Sequence, residues 1–208
     1  VGACARGETK GLRASAQFQN RPNPRHADLR GPPVSHWIIA PVVLPAFMAA
    51  LMVIALRGQP ALQRIASLSA ILALNAIALA LLWSATLHGP EAYFLGDWPA
   101  PFGIVLVLDR LSAMMVALLA ALALPVVLYA IGSGWDRKGA HFHPLLQFLL
   151  MGIGGAFLTG DAFNLFVFFE VLLIASYGLM IHGGGSARTR AGIQYIAFNL
   201  IGSSLFLF

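Results

Sequence analysis

The chain has 208 residues, of which 59% are hydrophobic and only 10% are charged. A soluble globular domain carries charge on about a quarter of its residues, so this composition, with a mean hydropathy of +0.79, excludes that class and predicts a membrane protein. The net charge of +5 is concentrated in residues 1–33, which carry six basic and two acidic side chains, so it does not indicate a nucleic-acid partner.

Residues 1–33 form a polar segment with four prolines and no hydrophobic period, which predicts disorder. A targeting peptide is one interpretation, because Arg and Ser with few acids are typical of transit signals. We favour a second interpretation, in which this tail is upstream sequence and the native chain begins near Val34. Cys4 is the single cysteine, so neither an intrachain disulfide nor a cysteine metal cluster is expected.

Six apolar stretches follow the tail and predict an all-α fold, a polytopic transmembrane helix bundle. They cover approximately residues 37–56, 65–87, 111–131, 145–158, 162–181 and 191–208. At 1.5 Å per residue, a stretch of about 20 residues crosses roughly 30 Å of hydrocarbon, whereas 145–158 is at the lower limit. Asp161 has the position of an N-cap for the fifth helix. Residues 34–208 are therefore expected to form one transmembrane region, and its sixth helix, still apolar at Phe208, is expected to be incomplete.

The charges in the loops predict the orientation of the spans. The first, third and fifth loops carry basic residues, among them Arg57, Arg137 and Arg188, whereas the second and fourth loops are acidic overall. By the positive-inside rule the basic loops are cytoplasmic and Trp37 starts outside. The second loop is the longest, and we expect it to lie on the outer surface with a short strand or hairpin within residues 102–108.

The clearest candidate functional residue is Glu170, in the fifth predicted span. It lies eight residues after Ala162, or about 12 Å along a helix, and therefore well inside the hydrocarbon. An acid near the centre of a transmembrane helix costs roughly 2.5–3.5 kcal/mol, which argues for a position facing protein or water. Desolvation disfavours the charged form of a carboxylate, so proton uptake and release become accessible, as an intramembrane proton relay requires. The alternative is a structural acid held by hydrogen bonds.

The other polar residues of the spans are weaker candidates. Tyr177 shares a helix face with Glu170, but a packing tyrosine is the simpler interpretation. His143 and His182 lie near the cytoplasmic ends of the fourth and fifth spans, where a haem pair is conceivable, although edge histidines of a bundle are the simpler interpretation. No cofactor and no metal are therefore predicted. Two mid-span amides favour interhelical hydrogen bonds, namely Asn75 and Asn199.

The run GAFLTGDAFNLFVFFEVLLIASYGL, from Gly155 to Leu179, resembles the D subunit of the Mrp-type multisubunit sodium/proton antiporters. Four further segments support the resemblance: GDWPAPFGIV from Gly96, DRLS from Asp109, RTRAGIQY from Arg188 and NLIGS from Asn199. The resemblance covers about residues 34–208, and the tail matches nothing. This family is similar to the antiporter-like subunits of respiratory complex I.

The resemblance implies a protein of about fourteen helices with two inverted five-helix repeats that contain broken helices. It also implies that the glutamate of the fifth helix, here Glu170, pairs with a lysine on the seventh helix, which would follow Phe208. The chain would then be about the N-terminal third of such a protein. No lysine lies in the six predicted spans, so this chain supplies no such partner.

Three functions are consistent with these observations. The leading hypothesis is an ion-translocating subunit of an inner-membrane antiporter, which exchanges sodium or a similar monovalent cation for protons within a hetero-oligomeric complex. The runner-up is a proton-translocating membrane subunit of a redox enzyme, such as complex I or a membrane-bound hydrogenase. The third is a membrane anchor without a transport role. None of the three requires bond-breaking chemistry in this chain, so an enzyme is not predicted.

Overall fold

The structure, a computed structural model, describes residues 36–97 and 103–207. The predicted tail, with Cys4 and Val34, lies outside the described residues. After a 3-10 turn at His36–Ile39, the helices are α1 (Ala40–Ile54), α2 (Pro60–His88), α3 (Arg110–Gly132), α4 (Phe142–Leu158), α5 (Ala162–Met180) and α6 (Ser186–Leu207). The strands are β1 (Glu91–Phe94) and β2 (Val105–Leu108). The predicted all-α class is confirmed, with one helix for each apolar stretch.

Among the residues that the structure describes, four segments are long and apolar enough to cross a membrane, namely His36–Ile54, Pro60–His88, Arg110–Gly132 and Ala162–Met180. The helix α4 is apolar but has only 17 residues, and α6 carries Arg188 and Arg190 in its first turns. Large apolar side chains such as Trp83 are exposed along these helices. Their exposure would be unfavourable in water but is favourable in contact with lipid. The chain is a multi-pass membrane protein.

The helix α4 lies at the centre of the bundle and packs on α1, α3 and α5, while α2 pairs with α3. Both α2 and α3 bury small side chains, and these are Ala70, Ala78 and Ala85 on α2 with Ala113, Ala120 and Ala123 on α3. Small residues at a helix contact favour close packing. The helix α6 packs mainly on α5 and contributes little to the buried core. One side of α5 is thus covered by α4 and another by α6.

A β-hairpin closes one end of the bundle. The strands β1 and β2 pair antiparallel, with Glu91 opposite Leu108. A strand was expected within residues 102–108 and β2 lies there, but its partner β1 lies earlier in the second loop. The hairpin also contacts the α4–α5 turn, because Gly160 N donates to Val105 O at 2.8 Å and Leu106 bridges to Thr159. The hairpin and the α4–α5 turn therefore lie at the same end of the bundle.

The basic loops meet at the other end, around Trp135. The Lys138 ammonium lies 4.3 Å from the Trp135 ring centroid, and the Arg188 guanidinium lies 4.7 Å from it on approach from α6. His182 Nε2, which follows α5, is 3.0 Å from Trp135 O. Arg64 of α2 reaches Asp136, so residues of all three basic loop regions meet there. This grouping is the arrangement that the positive-inside rule requires.

Candidate functional site

The helix α5 carries Glu170, and its first turn is fixed by Asp161. The Asp161 side chain accepts a hydrogen bond from Asn164 N at 3.1 Å, which satisfies one of the free amides at the helix start. The expected N-cap is therefore confirmed. Glu170 lies eight residues after Ala162, about 12 Å along the axis, near the middle of the 19-residue helix.

Glycines of α4 set the distance between α4 and α5. A Cβ atom at Gly152 would lie 2.8 Å from the Leu172 backbone nitrogen, and one at Gly155 would overlap the Phe168 ring. The face of α5 that carries Phe168, Leu172 and the buried Ala175 is therefore packed against α4. At 100° per residue, Glu170 points about 160° away from Phe168 and Leu172 and about 140° away from Ala175, and so away from α4.

The Glu170 carboxylate is half-buried and incompletely paired. Its Oε1 atom is buried and has no hydrogen-bond partner within residues 36–97 and 103–207. A buried acceptor without a donor is costly, and such groups are rare outside functional or strained sites. Its Oε1 atom can therefore accept a hydrogen bond from a group outside the described residues.

Aromatic pairs fix how α6 lies along α5. The Tyr177 and Tyr195 rings pack edge to face with centroids 5.6 Å apart, and Phe166 stacks on Phe206 at 6.3 Å. In this antiparallel register the residue level with Glu170 on α6 is Gly202, where an added Cβ would meet no atom within 4 Å. There is consequently open space on α6 at the depth of the carboxylate.

A cleft of about 390 Å³ lies between α5 and α6 beside this space. Its lining is mostly apolar, with Leu165, Phe166, Phe169 and Leu173 from α5 and Asn199, Gly202, Ser203 and Phe206 from α6. Asn199 Nδ2 is buried and has no hydrogen-bond partner in the described part of the chain. The expected interhelical bond of Asn199 is therefore not formed among these residues. Asn75, in contrast, donates to Ala120 O on α3 at 2.8 Å, as expected.

Tyr177 has the position that its spacing predicts. It lies seven residues after Glu170 on the same face of α5. It also packs on Tyr195, whose hydroxyl is 3.5 Å from Ser176 Oγ. The contact with Tyr195 is sufficient to explain the position of Tyr177 as a packing residue.

A second polar cluster, which the sequence analysis missed, joins α2, the α3–α4 loop and α4. Asp136 is 6% exposed and accepts two hydrogen bonds from Arg64, at 2.5 Å from Nε and 2.8 Å from Nη2. His143 Nε2 lies 3.3 Å from the same carboxylate. Arg64 and Asp136 are 72 residues apart, so no local pattern connects them. The one hint in the sequence was that Asp136 is an acidic residue in the otherwise basic α3–α4 loop.

Opposing effects act on the Asp136 carboxyl group. Burial raises its pKa, but the hydrogen bonds and charges of Arg64 and His143 outweigh burial and hold the pKa below its usual value of 3.8. Asp136 is therefore ionised at neutral pH and neutralised mainly by Arg64.

The two histidines lie at the basic end of the bundle. His143 Nε2 is 3.3 Å from the Asp136 carboxylate, and His182 Nε2 is 3.0 Å from Trp135 O. Within residues 36–97 and 103–207 no group of three or more His, Cys, Asp or Glu side chains could hold a metal ion.

Comparison with known proteins identifies the relatives of this chain. It is 47% identical over 179 residues to a probable K(+)/H(+) antiporter D subunit of Rhizobium meliloti (strain 1021) and covers 33% of that protein. It is 38% identical over 175 residues to the Na(+)/H(+) antiporter D subunit of Bacillus subtilis (strain 168) and covers 35% of it. Each alignment includes 84% of this chain. The chain is homologous to the D subunit of Mrp-type antiporters. It spans about a third of the length of these curated relatives, and no family model matches it.

Solved structures agree with this homology. A chain of the Mrp complex from Dietzia sp. DQ12-45-1b superimposes with a TM-score of 0.77 at 28% identity, over 84% of this chain and 33% of that one. A chain of the membrane-bound sulfane sulfur reductase, an archaeal respiratory membrane complex, gives a TM-score of 0.70 at 25% identity, over 82% and 35%. The same helical arrangement thus occurs in an antiporter complex and in a redox complex.

Proposed function

We propose that this chain is part of an ion-translocating subunit of a multisubunit monovalent cation/proton antiporter in the bacterial inner membrane. In this proposal the other subunits of the complex are its partners, protons and a monovalent cation such as sodium are its cargo, and the bilayer surrounds it. The chain works in transport and not as an enzyme. Homology to the D subunit of antiporters supports this assignment.

The single observation that carries the proposal is the Glu170 carboxylate. It lies near the middle of α5, and its buried Oε1 atom lacks a partner among the described residues. A carboxyl group that is desolvated but reachable can alternate between a neutral and an ionised form, whereas a fully paired acid is held in one form. Glu170 is therefore the proposed intramembrane proton relay.

The resemblance to the family implies a second relay residue, a lysine on a helix that follows later in the family's sequences. A lysine on a later helix would stabilise the ionised form of Glu170 and would release it again when the lysine itself moves or loses its proton. The open space opposite Glu170 at Gly202 leaves room for water at the same depth. Proton transfer would then proceed between the carboxylate, water and the later lysine.

A second candidate function is proton translocation within a redox complex. The structural likeness to the sulfane sulfur reductase complex favours it, because the same helices occur there. The antiporter assignment is preferred because the two antiporter relatives are 38% and 47% identical, against 25% for the reductase chain. In a redox complex, electron transfer in partner proteins would drive the same Glu170 relay.

The test is Glu170→Gln in the complete assembled complex, in everted vesicles with a pH-sensitive dye. The amide keeps the volume of the side chain but cannot take up a proton, so cation-dependent proton exchange should fall at least tenfold, or about 1.4 kcal/mol in activation free energy. The complex should still assemble. Glu91→Gln, the same substitution on the β1 strand of the hairpin, is the matched control and should retain exchange.

Unchanged exchange in Glu170→Gln would refute the relay and would favour the membrane-anchor interpretation. Loss of proton movement that depends on an electron donor, without any response to added cations, would favour the redox alternative.

A further inference from the structure

Two basic side chains from different loop regions share one tryptophan ring at the basic end of the bundle. The Lys138 ammonium lies 4.3 Å from the Trp135 ring centroid, and the Arg188 guanidinium lies 4.7 Å from the same centroid. A Cβ atom built at Gly183 would lie 3.0 Å from Arg188 Nη1 and 3.7 Å from Lys138 Cδ, so the guanidinium lies beside the lysine chain. We call Trp135, Lys138 and Arg188 the Trp135 cluster.

Contacts with the α5–α6 loop hold this cluster in place. Arg188 Nη1 donates to His182 O, and the His182 and Trp135 rings pack with centroids 6.1 Å apart. A Cβ atom at Gly139 would lie 2.9 Å from the His182 ring, so the α3–α4 loop is in direct contact with the end of α5. The protein itself therefore brings the two cations together, and a ligand that needs both would find them already positioned.

No acidic side chain balances the two cations within the described part of the chain. Both ion pairs found there use Asp136, which is engaged with Arg64 and His143. Like charges that share one ring repel each other, and an anion bound to both would offset the repulsion. Arg188 Nη1 is engaged with His182 O, which leaves other N–H groups of the guanidinium for a ligand.

The surroundings of the cluster favour a lipid over a free anion. Trp135 follows the end of α3 by three residues, and indole rings with basic side chains are typical of the headgroup layer of a membrane. Met180 and Ile181, at the end of α5 directly before His182, are 43% and 42% exposed. A free anion would satisfy only the two charges, whereas an anionic lipid also brings acyl chains to these apolar side chains.

We propose that the Trp135 cluster binds the phosphate of an anionic phospholipid, such as phosphatidylglycerol. Lys138 Nζ and the remaining N–H groups of Arg188 would donate to the phosphate oxygens, and the acyl chains would lie along the exposed end of α5. Because the cluster joins the α3–α4 loop to the first turn of α6, the bound lipid would tie α6 to the rest of the bundle.

The test measures how fast the Lys138 amine is acetylated in the whole complex. This chain contains two lysines, Lys10 and Lys138, so mass spectrometry of peptides follows residue 138 separately. The complex is placed in phosphatidylcholine nanodiscs with an increasing fraction of phosphatidylglycerol, at constant pH and ionic strength. An anionic bilayer slows acetylation of every amine at its surface, so Arg190→Lys supplies a reference amine at an exposed position of α6 outside the cluster.

Phosphatidylglycerol should slow acetylation of residue 138 saturably, by about fivefold more than acetylation of residue 190. Arg188→Gln should remove most of this protection, whereas Arg190→Gln, a matched loss of charge two residues away, should leave it unchanged. Arg188→Lys keeps the charge and should keep most of the protection. The comparison of residues 138 and 190 requires no substitution within the cluster, so it remains valid if Arg188→Gln fails to assemble.

Equal slowing at residues 138 and 190, or equal effects of Arg188→Gln and Arg190→Gln, would mean diffuse attraction to the bilayer and would overturn the proposal. Unchanged acetylation of residue 138 at every lipid composition would overturn it too, whether the amine is reactive throughout or already covered by protein in pure phosphatidylcholine. Equal protection by inorganic phosphate in phosphatidylcholine nanodiscs would overturn the lipid as the source of the anion. None of these outcomes depends on exchange activity, so they are independent of the Glu170 relay.

Discussion

At the residue scale, the Arg64–Asp136 pair is the strongest polar contact of the basic end. Asp136 is almost fully buried, so removal of its arginine would leave a charge without its main partner in a poorly solvated place.

Asp109 is a second acid kept ionised by its surroundings. Its carboxylate accepts a hydrogen bond from Ser112 N, and Asp109 N donates to the Ser112 hydroxyl, which together form the capping box of α3. Hydrogen bonding by Ser112 holds the pKa of Asp109 below the usual value. Both acids stabilise the ends of helices and have no transport role in our proposal.

Substitution Arg64→Gln is expected to lower the melting temperature of the assembled complex by roughly 5 °C at neutral pH, because Asp136 loses its two charged hydrogen bonds. Arg57→Gln is the matched control, since Arg57 is exposed and belongs to the same basic end. Its melting temperature should stay within about 1 °C of wild type. Equal losses in both variants would mean that net charge, and not the buried pair, stabilises this end.

The pH dependence of the Arg64–Asp136 pair has a definite sign. The pKa of Asp136 is lowered in the folded state, so its contribution to stability is fully present above the unfolded value near 3.8 and is lost as pH falls through the folded value. The difference in melting temperature between wild type and Asp136→Asn should therefore be constant from about pH 7 to pH 8, where His143 is neutral, and be much smaller below about pH 4. A difference that is undiminished at about pH 3 would contradict this assignment.

At the scale of secondary-structure elements, the α4–α5 hairpin positions Glu170. Glycines at the contact let the two helices approach closely, and Asp161 starts α5 three residues after the end of α4. The helix α4 covers the face of α5 opposite Glu170, and the α5–α6 cleft is lined by neighbouring residues of α5, among them Phe169 and Leu173. Any change in the α4–α5 distance would therefore move Glu170 relative to α6.

Gly152→Ala should destabilise the protein by about 1–3 kcal/mol, because the new Cβ atom would lie 2.8 Å from the Leu172 backbone, which cannot move without shifting α5. Gly132→Ala, at the end of α3, is the control, since a Cβ atom there meets nothing within 4 Å. Its stability should be unchanged or slightly higher. Thermal unfolding of the purified complex measures both, and similar stability of the two variants would contradict the close packing of α4 on α5.

At the scale of the whole molecule, the two ends of the bundle have different character. One end carries the β-hairpin and the α4–α5 turn, and the other carries the basic loops packed around Trp135. The separation of charge between the ends predicts the orientation in the membrane, with the basic end in the cytoplasm.

Cysteine labelling tests this orientation in a Cys4→Ser background. An impermeant thiol reagent should label Glu91→Cys in spheroplasts, because the hairpin would face outside. It should label Gln59→Cys and Lys138→Cys only in everted vesicles. Labelling of residue 59 or residue 138 in intact spheroplasts would reverse the assigned orientation. Lysed spheroplasts serve as the control that each cysteine is reactive.

Much of the architecture could be predicted from the sequence, because its signals are local. Apolar runs of sufficient length predict spans, since the backbone in lipid must satisfy its own hydrogen bonds within a helix. The depth of Glu170 follows from counting residues after Asp161, a helix-capping residue read directly from the sequence. The order of charged loops and the homologous run around Glu170 are also local signals, so fold class and candidate residue were both accessible.

Only the tertiary structure decided which distant residues meet. The pairing of Glu91 with Leu108, the contact of Arg64 with Asp136 and the α5–α6 cleft depend on how helices pack. Helix packing is set by small side chains and shape at contacts that are far apart in the chain, and periodicity gives a face but not its partner. For that reason the sequence alone determined the spans and the depth of Glu170, while packing decided that Glu170 turns away from α4 and that Lys138 and Arg188 meet at Trp135.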